Sequence, residues 1–376
     1  MARCTLCGRE SQLTSRGPGV CVDCLRQSTA VTDAPVSAKH AALRRRWDLP
    51  PKPPDDPEGL ACDLCVNACR VGQGEVGYCG VRRNVGGRWQ GAKADRGFVS
   101  WYYDQLPTNC VADWVCAGGS AAGYPHYSVA SGPELGYRNL AVFFHGCSFD
   151  CLFCQNWQHR SALASGMGEV GNQAAKTAQE LADAVDQRTT CICYFGGDPS
   201  PQMPFALRAS ELTLERVERQ VLRICWETNG SMNPRVLERA VELSLRTGGT
   251  VKFDLKAWDP RLHRALCGVD NRRTLENFER AAARLGERPD PPLLIASTLL
   301  VPGYVDEQEV GRIARFIAHL NPHIPYALLA FYPHLAMNDL PTTSRSHASG
   351  CAEAAKGAGL TRVHVGNLHL LGSSYQ

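Results

Sequence analysis

Three cysteines constrain this chain more than any other feature. Cys147, Cys151 and Cys154 are spaced C-x3-C-x2-C within Phe-Phe-His-Gly-Cys-Ser-Phe-Asp-Cys-Leu-Phe-Cys-Gln-Asn at 143–156. They follow an apolar run at 139–144 that reads as a buried strand. Three thiolates from one tight loop can hold three corners of a cubane iron–sulfur cluster, whereas a closed cluster needs four. A 4Fe–4S cluster held this way keeps one iron without a protein ligand, open to an exogenous molecule. On spacing alone the alternative is a zinc knuckle completed by a distant fourth ligand.

The chain has 18 cysteines in 376 residues. They cluster in C-x2-C-type groups and the first residues carry no signal-peptide pattern, so metal binding is expected rather than disulfides. Cys4, Cys7, Cys21 and Cys24 form two knuckles with glycines around them, the pattern of a zinc ribbon in residues 1–30. Residues 31–58 read as a linker: a short helix with Arg44-Arg45-Arg46, expected on a solvated face, then the proline-rich stretch 48–58. Cys62, Cys65, Cys69 and Cys79 follow in a second cysteine-rich module, residues 59–104, where four thiolates can close either a zinc site or an auxiliary iron–sulfur cluster. Residues 105–137 are rich in glycine and aromatics and carry Cys110 and Cys116. A loop of this length is expected to serve as a lid or substrate-side wall, with those cysteines as extra metal ligands, or to be an ordinary packed loop with two buried thiols.

From residue 138 to 376 the pattern alternates. Strands are expected at 140–144, 191–195, 222–226, 251–255, 293–300, 326–331 and 363–365. Helices are expected at 176–187, 205–220, 234–247, 274–285, 307–320 and 344–357. This predicts an α/β fold with a parallel sheet and crossover helices, a partial (β/α)6 barrel carrying small N-terminal cysteine-rich metal-binding modules. In such a barrel function gathers where the strands end. Unusual motifs fall on that edge: the three-cysteine loop, Gly196-Gly197-Asp198-Pro199, Glu227-Thr228-Asn229-Gly230, Asp254-Leu255-Lys256, Val301-Pro302-Gly303-Tyr304 and Tyr332-Pro333-His334.

The cysteine loop, with aromatic Phe153 before its last cysteine, resembles that of the radical S-adenosylmethionine (radical SAM) superfamily. The loops after the second, third and fourth strands are similar to those of pyruvate formate-lyase activating enzymes. The second module, ending Gly77-Tyr78-Cys79-Gly80-Val81-Arg82, resembles that of the radical SAM proteins of the Memo-associated group. The resemblance covers roughly 59–367 and departs at 105–137. It implies that Gly196, Gly197 and Asp198 meet the amino group of SAM, and that Glu227, Thr228 and Asn229 complete the cofactor site. It implies that Asp254, Lys256 and His334 face SAM or the substrate, and that Phe153 lies against the adenine. From the residues themselves, Asp254 and Lys256 lie two apart on one strand face, where they serve equally as an internal salt bridge.

The resemblance implies an oxidoreductase that cleaves SAM reductively to a 5′-deoxyadenosyl radical. That radical abstracts hydrogen from a substrate, as in an activating enzyme that makes a glycyl radical on a partner protein. The alternative is modification of a small molecule, peptide or RNA. A non-catalytic zinc-binding interaction module is the reading from another class. A ferredoxin or flavodoxin is the expected reductant. With a net charge of +3, composition gives no argument for a polyanionic partner, and nucleic acid enters only through the ribbon. No apolar run reaches membrane-spanning length, so the expectation is a cytoplasmic protein without a membrane partner.

Overall fold

A computed structural model describes residues 1–27, 30–108, 110–164, 175–217 and 221–375. Its main sheet has nine strands: β1 Arg96–Gln105, β2 Arg138–Phe144, β3 Ala175–Thr177, β4 Thr189–Gly196, β5 Arg223–Thr228, β6 Val251–Asp254, β7 Leu294–Leu300, β8 Tyr326–Ala330 and β9 Val363–Gly366. The order is β9-β8-β7-β6-β5-β4-β2-β1-β3. The seven strands expected from periodicity are parallel neighbours. β1 runs antiparallel to both β2 and β3. β1 falls in the stretch 59–104 read as part of the second cysteine module, yet it lies in the main sheet. Its Phe98 and Val99 are buried while Tyr102 and Tyr103 are exposed, a half-wet edge rather than a continuous apolar run.

The crossover helices that flank the site loops are α1 Met203–Arg216, α2 Pro234–Thr247 and α3 Pro260–Cys267. Alternation along the strands sorts side chains into two environments. Tyr194 and Trp226 face the helices, stacked at 4.7 Å, with Tyr194 Oη bonded to Ser210 of α1 and Trp226 Nε1 to the Ala240 carbonyl of α2. The opposite face carries Cys191, Cys193, Arg223, Cys225, Glu227, Lys252 and Asp254, which point into the barrel. Cys193 is in register with Cys225, and Glu227 with Lys252.

The segment 110–137 fills the interior from the end where the strands begin. Ala112 and Val115 are buried with Ile295, and Trp114 stacks on His364 at 5.0 Å. Glu134 is fully buried and takes Arg223 through two bonds of 2.7 and 2.6 Å, plus Thr190 Oγ1 at 2.6 Å. The segment packs as a plug beneath the cavity described below, and among its described residues Val111 lines that cavity. Cys110 Sγ receives Lys252 Nζ at 2.9 Å and Cys193 Sγ does so at 3.0 Å. The Lys252 ammonium thus stands where a cation between Cys110, Cys193 and Glu227 would stand.

The N-terminal segments dock on the barrel. Ser15 donates from its amide to Tyr304 Oη (2.9 Å), and Arg26 pairs with Asp306 at 2.9 and 2.8 Å. The Val-Pro-Gly-Tyr motif at 301–304 therefore seats the ribbon. The helix Ala30–Arg45 lies against α3 through His40 Nε2 and the Ala265 carbonyl at 3.1 Å. Arg44 corrects the expectation of a solvated face: it is 1% exposed, its guanidinium 3.5 Å over the Tyr78 ring. One helix turn carries both a core position and a wet one, and the charge run at 44–46 hides which is which.

Replacing Glu134 by Ala leaves Arg223 charged and unpaired in the barrel interior. The expected loss is about 3–5 kcal/mol of unfolding free energy, read by chemical denaturation of the full chain, with Glu134→Gln costing less.

Candidate active site

The ends of β2, β4, β5 and β6 open into one cavity of about 270 Å³. Cys147, Cys151 and Cys154 line it with Phe153, Gly196, Gly197, Asp198, Glu227, Thr228, Asn229, Asp254 and Lys256. Every barrel residue that the resemblance assigned to the cluster, SAM or the substrate is thus brought together, save His334. His334 opens the short 3-10 turn Leu335–Met337, its ring 5.5 Å from Tyr332, and is outside the lining. Leu329 of β8 and Asn367 after β9 still reach the cavity, so distance round the sheet does not exclude His334; the course of the 332–337 loop leaves it outside the lining.

The cysteine loop is held from below by a buried carboxylate. Asp150 is fully buried and accepts from Arg160 Nη1 at 2.5 Å and His40 Nδ1 at 2.8 Å, with Arg44 Nη1 at 3.6 Å. Burial alone would raise its pKa, but the Arg160 guanidinium, the His40 hydrogen bond and Arg44 outweigh burial and hold it below the usual carboxylate range. That contribution to stability is present at neutral pH and is lost as pH falls through the depressed folded value. The Asp150 and Leu152 amides donate to the Cys267 and Leu266 carbonyls at the end of α3, at 2.8 and 2.9 Å. Sequence reading missed Asp150 and Arg160, because nothing local marks a carboxylate whose partners are 110 and 10 residues away.

Gly196 and Gly197 serve the loop as much as any ligand. A Cβ on Gly197 would stand 2.2 Å from the Gly146 oxygen, and one on Gly196, at φ +107°, 2.6 Å from the Phe144 nitrogen. The Gly197 and Asp198 amides donate to the Phe144 and Gly146 carbonyls. Asp198 was expected to meet an ammonium. Its oxygens accept from the Ser200 amide (2.8 Å), Thr228 Oγ1 (2.9 Å) and the Asn229 amide (2.8 Å), which takes three of about four acceptor positions. Its carboxylate therefore sets the Thr228–Asn229 turn. Asn229 Nδ2 in turn points at Cys147 Sγ, 3.8 Å away, and bonds Ser148 Oγ at 2.9 Å.

Asp254 and Lys256 form the ion pair anticipated as one of two readings. Burial pulls the Lys256 pKa down, but Asp254 and the thiols of Cys151 and Cys267 outweigh it, so the ammonium stays charged. Asp254 Oδ1, Gln155 Nε2 and His159 Nδ1 are buried polar atoms without a partner in the protein. All three residues line the cavity, and such orphaned groups suit a polar ligand. Burial pushes Cys147 up and Cys154 up to about 11. Cys151 is lowered by a hydrogen bond from Cys267, which sits behind it and outside the lining. The cavity thus offers three sulfurs on one wall, a fixed cation, unsatisfied polar atoms and the apolar faces of Phe153, Leu299 and Leu329.

The family model of the radical SAM superfamily matches residues 141–317. The chain is 35% identical over 139 residues to the isethionate sulfite-lyase activating enzyme of Desulfovibrio desulfuricans, covering 36% of this chain and 40% of that one. It is 24% identical over 210 residues to the pyruvate formate-lyase 1-activating enzyme of Escherichia coli, covering 53% and 78%. A solved domain of a pyruvate formate-lyase activating enzyme from Bacteroides vulgatus superposes with TM-score 0.34 at 20% identity, over 43% of this chain and 94% of that one. The chain thus spans less than half the length of the isethionate relative.

A Gly197→Ala substitution pushes a methyl into the Gly146 carbonyl. The expected result is a displaced cysteine loop: at least ten-fold less iron retained after anaerobic reconstitution, with the far-ultraviolet spectrum of the barrel unchanged.

Proposed function

We propose, from the match of the radical SAM family model to residues 141–317, that Cys147, Cys151 and Cys154 hold a 4Fe–4S cluster and that the cavity beside them takes SAM. One observation carries this: three thiols converge on a cavity whose lining includes no fourth cysteine. A cluster on three thiolates has an iron free for the amino and carboxylate groups of SAM, and when reduced it supplies the electron that splits SAM into methionine and a 5′-deoxyadenosyl radical.

The chain's own residues bind and orient. The Lys256 ammonium, held charged by Asp254, is a compact partner for the SAM carboxylate. The free Asp254 Oδ1 accepts from a ligand hydroxyl or amine, and the Asp198-braced turn presents Thr228 and Asn229. Phe153, only 3% exposed, offers an apolar face to the adenine, and Leu299 and Leu329 keep water from the wall opposite. His334 lies outside the lining of this cavity. The ribbon sulfurs Cys4, Cys7, Cys21 and Cys24 all lie within 4.8 Å of one another, close enough for one zinc ion.

The substrate reading that the relatives favour is an activating enzyme that forms a glycyl radical on a partner protein, with a ferredoxin or flavodoxin as reductant. The plug at 110–137 favours the second reading, a smaller substrate, because it occupies the barrel interior. Among the described residues no helix is long and apolar enough to cross a membrane.

With SAM and a strong reductant the anaerobically reconstituted chain is expected to release 5′-deoxyadenosine. Cys147→Ala lowers that release at least a hundred-fold, whereas Cys267→Ala, behind the site, retains the cluster and most of the release. A Cys147→Ala chain as active as wild type overturns the assignment. A glycyl doublet in the electron paramagnetic resonance (EPR) spectrum with a partner protein supports the first substrate reading. Isotope transfer from a labelled small molecule into 5′-deoxyadenosine supports the second.

A further inference from the structure

The proposed chemistry accounts for some of the cysteines and leaves others. The ribbon holds four together. Cys62, Cys65, Cys69 and Cys79 line one small cavity, in a module whose Val66 amide donates to the Ser231 carbonyl after β5 at 2.9 Å. Inside the barrel, beneath the candidate site, two further thiols meet. Cys110 opens the plug and Cys193 lies on β4, and their sulfurs lie within 4.8 Å of each other and of a Glu227 carboxylate oxygen. Lys252 Nζ stands against both sulfurs, at 2.9 and 3.0 Å, with Glu227 Oε2 at 3.6 Å. Two neighbouring thiols are engaged elsewhere: Cys191 Sγ donates to Asn139 Oδ1 at 3.3 Å, and Cys116 Sγ to the Asp113 carbonyl at 3.8 Å.

The arrangement gives the two thiols unequal roles. Cys110 is partly exposed and Cys193 is buried. A hydrogen bond from the Cys193 thiol and the Lys252 ammonium together outweigh burial and lower Cys110 to about 6, while donating that bond and burial push Cys193 up. A thiolate beside a cation is the attacking group in thiol–disulfide exchange, and a second thiol within reach resolves the mixed disulfide. Joining the sulfurs requires them to close to about 2.05 Å, a movement open to Cys110 because it sits on a loop rather than a strand. Both ends of the cluster touch the cavity. Val111, next to Cys110, lines it, and so does Glu227, which is in register with Lys252 across β5 and β6.

We propose that Cys110 and Cys193 are a dithiol–disulfide site on the cavity floor, oxidised by low-molecular-weight disulfides, and that its state sets whether Glu227 is available to the cavity. The Cys110 thiolate attacks one sulfur of the small disulfide, whose S–S bond breaks and releases one thiolate. The Cys193 thiol passes its proton to that thiolate and attacks the Cys110 sulfur, which expels the second thiolate. Two protein thiols are oxidised and one disulfide is reduced to two thiols, so the electrons balance. In the reduced state the Lys252 ammonium is closer to the two sulfurs than to Glu227. A disulfide carries no charge, so after oxidation Glu227 is the anion left beside that ammonium, and a buried charge is costly without a partner. Drawing Glu227 onto Lys252 takes a carboxylate from the cavity wall, and the new bond staples the plug to β4 next to Val111. The weaker SAM binding that follows rests on the proposed function; the disulfide does not.

The test equilibrates the anaerobically reconstituted full chain with reduced and oxidised glutathione at increasing ratios, then quenches with acid, alkylates, digests and reads the peptides by mass spectrometry. The peptides carrying Cys110 and Cys193 should be joined at the oxidising end and separate after dithiothreitol, with iron content unchanged. Glutathione held on Cys110 with no link to Cys193 overturns the pair, as does a link from Cys193 to Cys225, an oxygen-bridged link from Cys110 to Lys252, or both thiols free at every ratio. For the coupling, the oxidised chain should bind SAM about five-fold more weakly or worse by anaerobic calorimetry and recover with dithiothreitol. In Cys110→Ser and in Cys193→Ser the SAM affinity should not change with the glutathione ratio. A joined pair with unchanged SAM affinity removes the coupling alone. A chain that binds no SAM in either state overturns the proposed function and leaves the peptide links to decide the pair.

Discussion

The carboxylate of Asp150 is the constraint on which the site depends. It lies between two of the three loop cysteines and collects His40, Arg44 and Arg160, all with side chains 7% exposed or less. A buried charge of this kind is costly unless fully paired, and breaking one side of it costs about 3–5 kcal/mol. Its value here is positional. Arg160 follows the loop, while His40 and Arg44 come from the helix Ala30–Arg45, so one anion fixes the loop from both sides. Asp150 is turned to these partners, while Cys147, Cys151 and Cys154 line the cavity.

Above that anchor the loops brace one another in sequence. The glycines at 196 and 197 admit the backbone of Gly146, Asp198 sets the Asn229 turn, and Asn229 returns to Cys147 and Ser148. Among the described residues, most buried polar side-chain atoms of the cavity lining have a partner within the protein. The few that do not, on Asp254, Gln155 and His159, are concentrated where a ligand would sit. Below the cavity, polarity is handled by pairing: Lys252 between two thiols, then Arg223 on Glu134. A barrel interior this rich in charge stays folded because the plug brings the counter-groups in from 110–137.

The N-terminal segments are supports rather than appendages. The ribbon rests on Tyr304, the helix after it reaches Asp150, and the second cysteine module pairs its backbone with the loop after β5. Motifs that read as active-site loops from their position on the barrel edge thus divide. Those after β2, β4, β5 and β6 face the cavity; Val301–Tyr304 faces the ribbon, and His334 turns away.

The sequence by itself determined the parallel strands, most crossover helices and the cavity-lining loops, because periodicity, glycine and short motifs are local properties of the chain. The helices 234–247 and 307–320 end where their caps do, at Asn233 and Gly248 and at Asp306. Only the tertiary structure decided which charges are buried and with whom. Asp150 with His40, Glu134 with Arg223, and Lys252 with Cys110 are pairs separated by 89 to 142 residues. No local pattern encodes such a pairing, since a buried ion is stabilised by whatever partner the fold delivers to it. The same reason hid the antiparallel strand Arg96–Gln105, whose place in the sheet is set by the edge of β2 rather than by its own alternation.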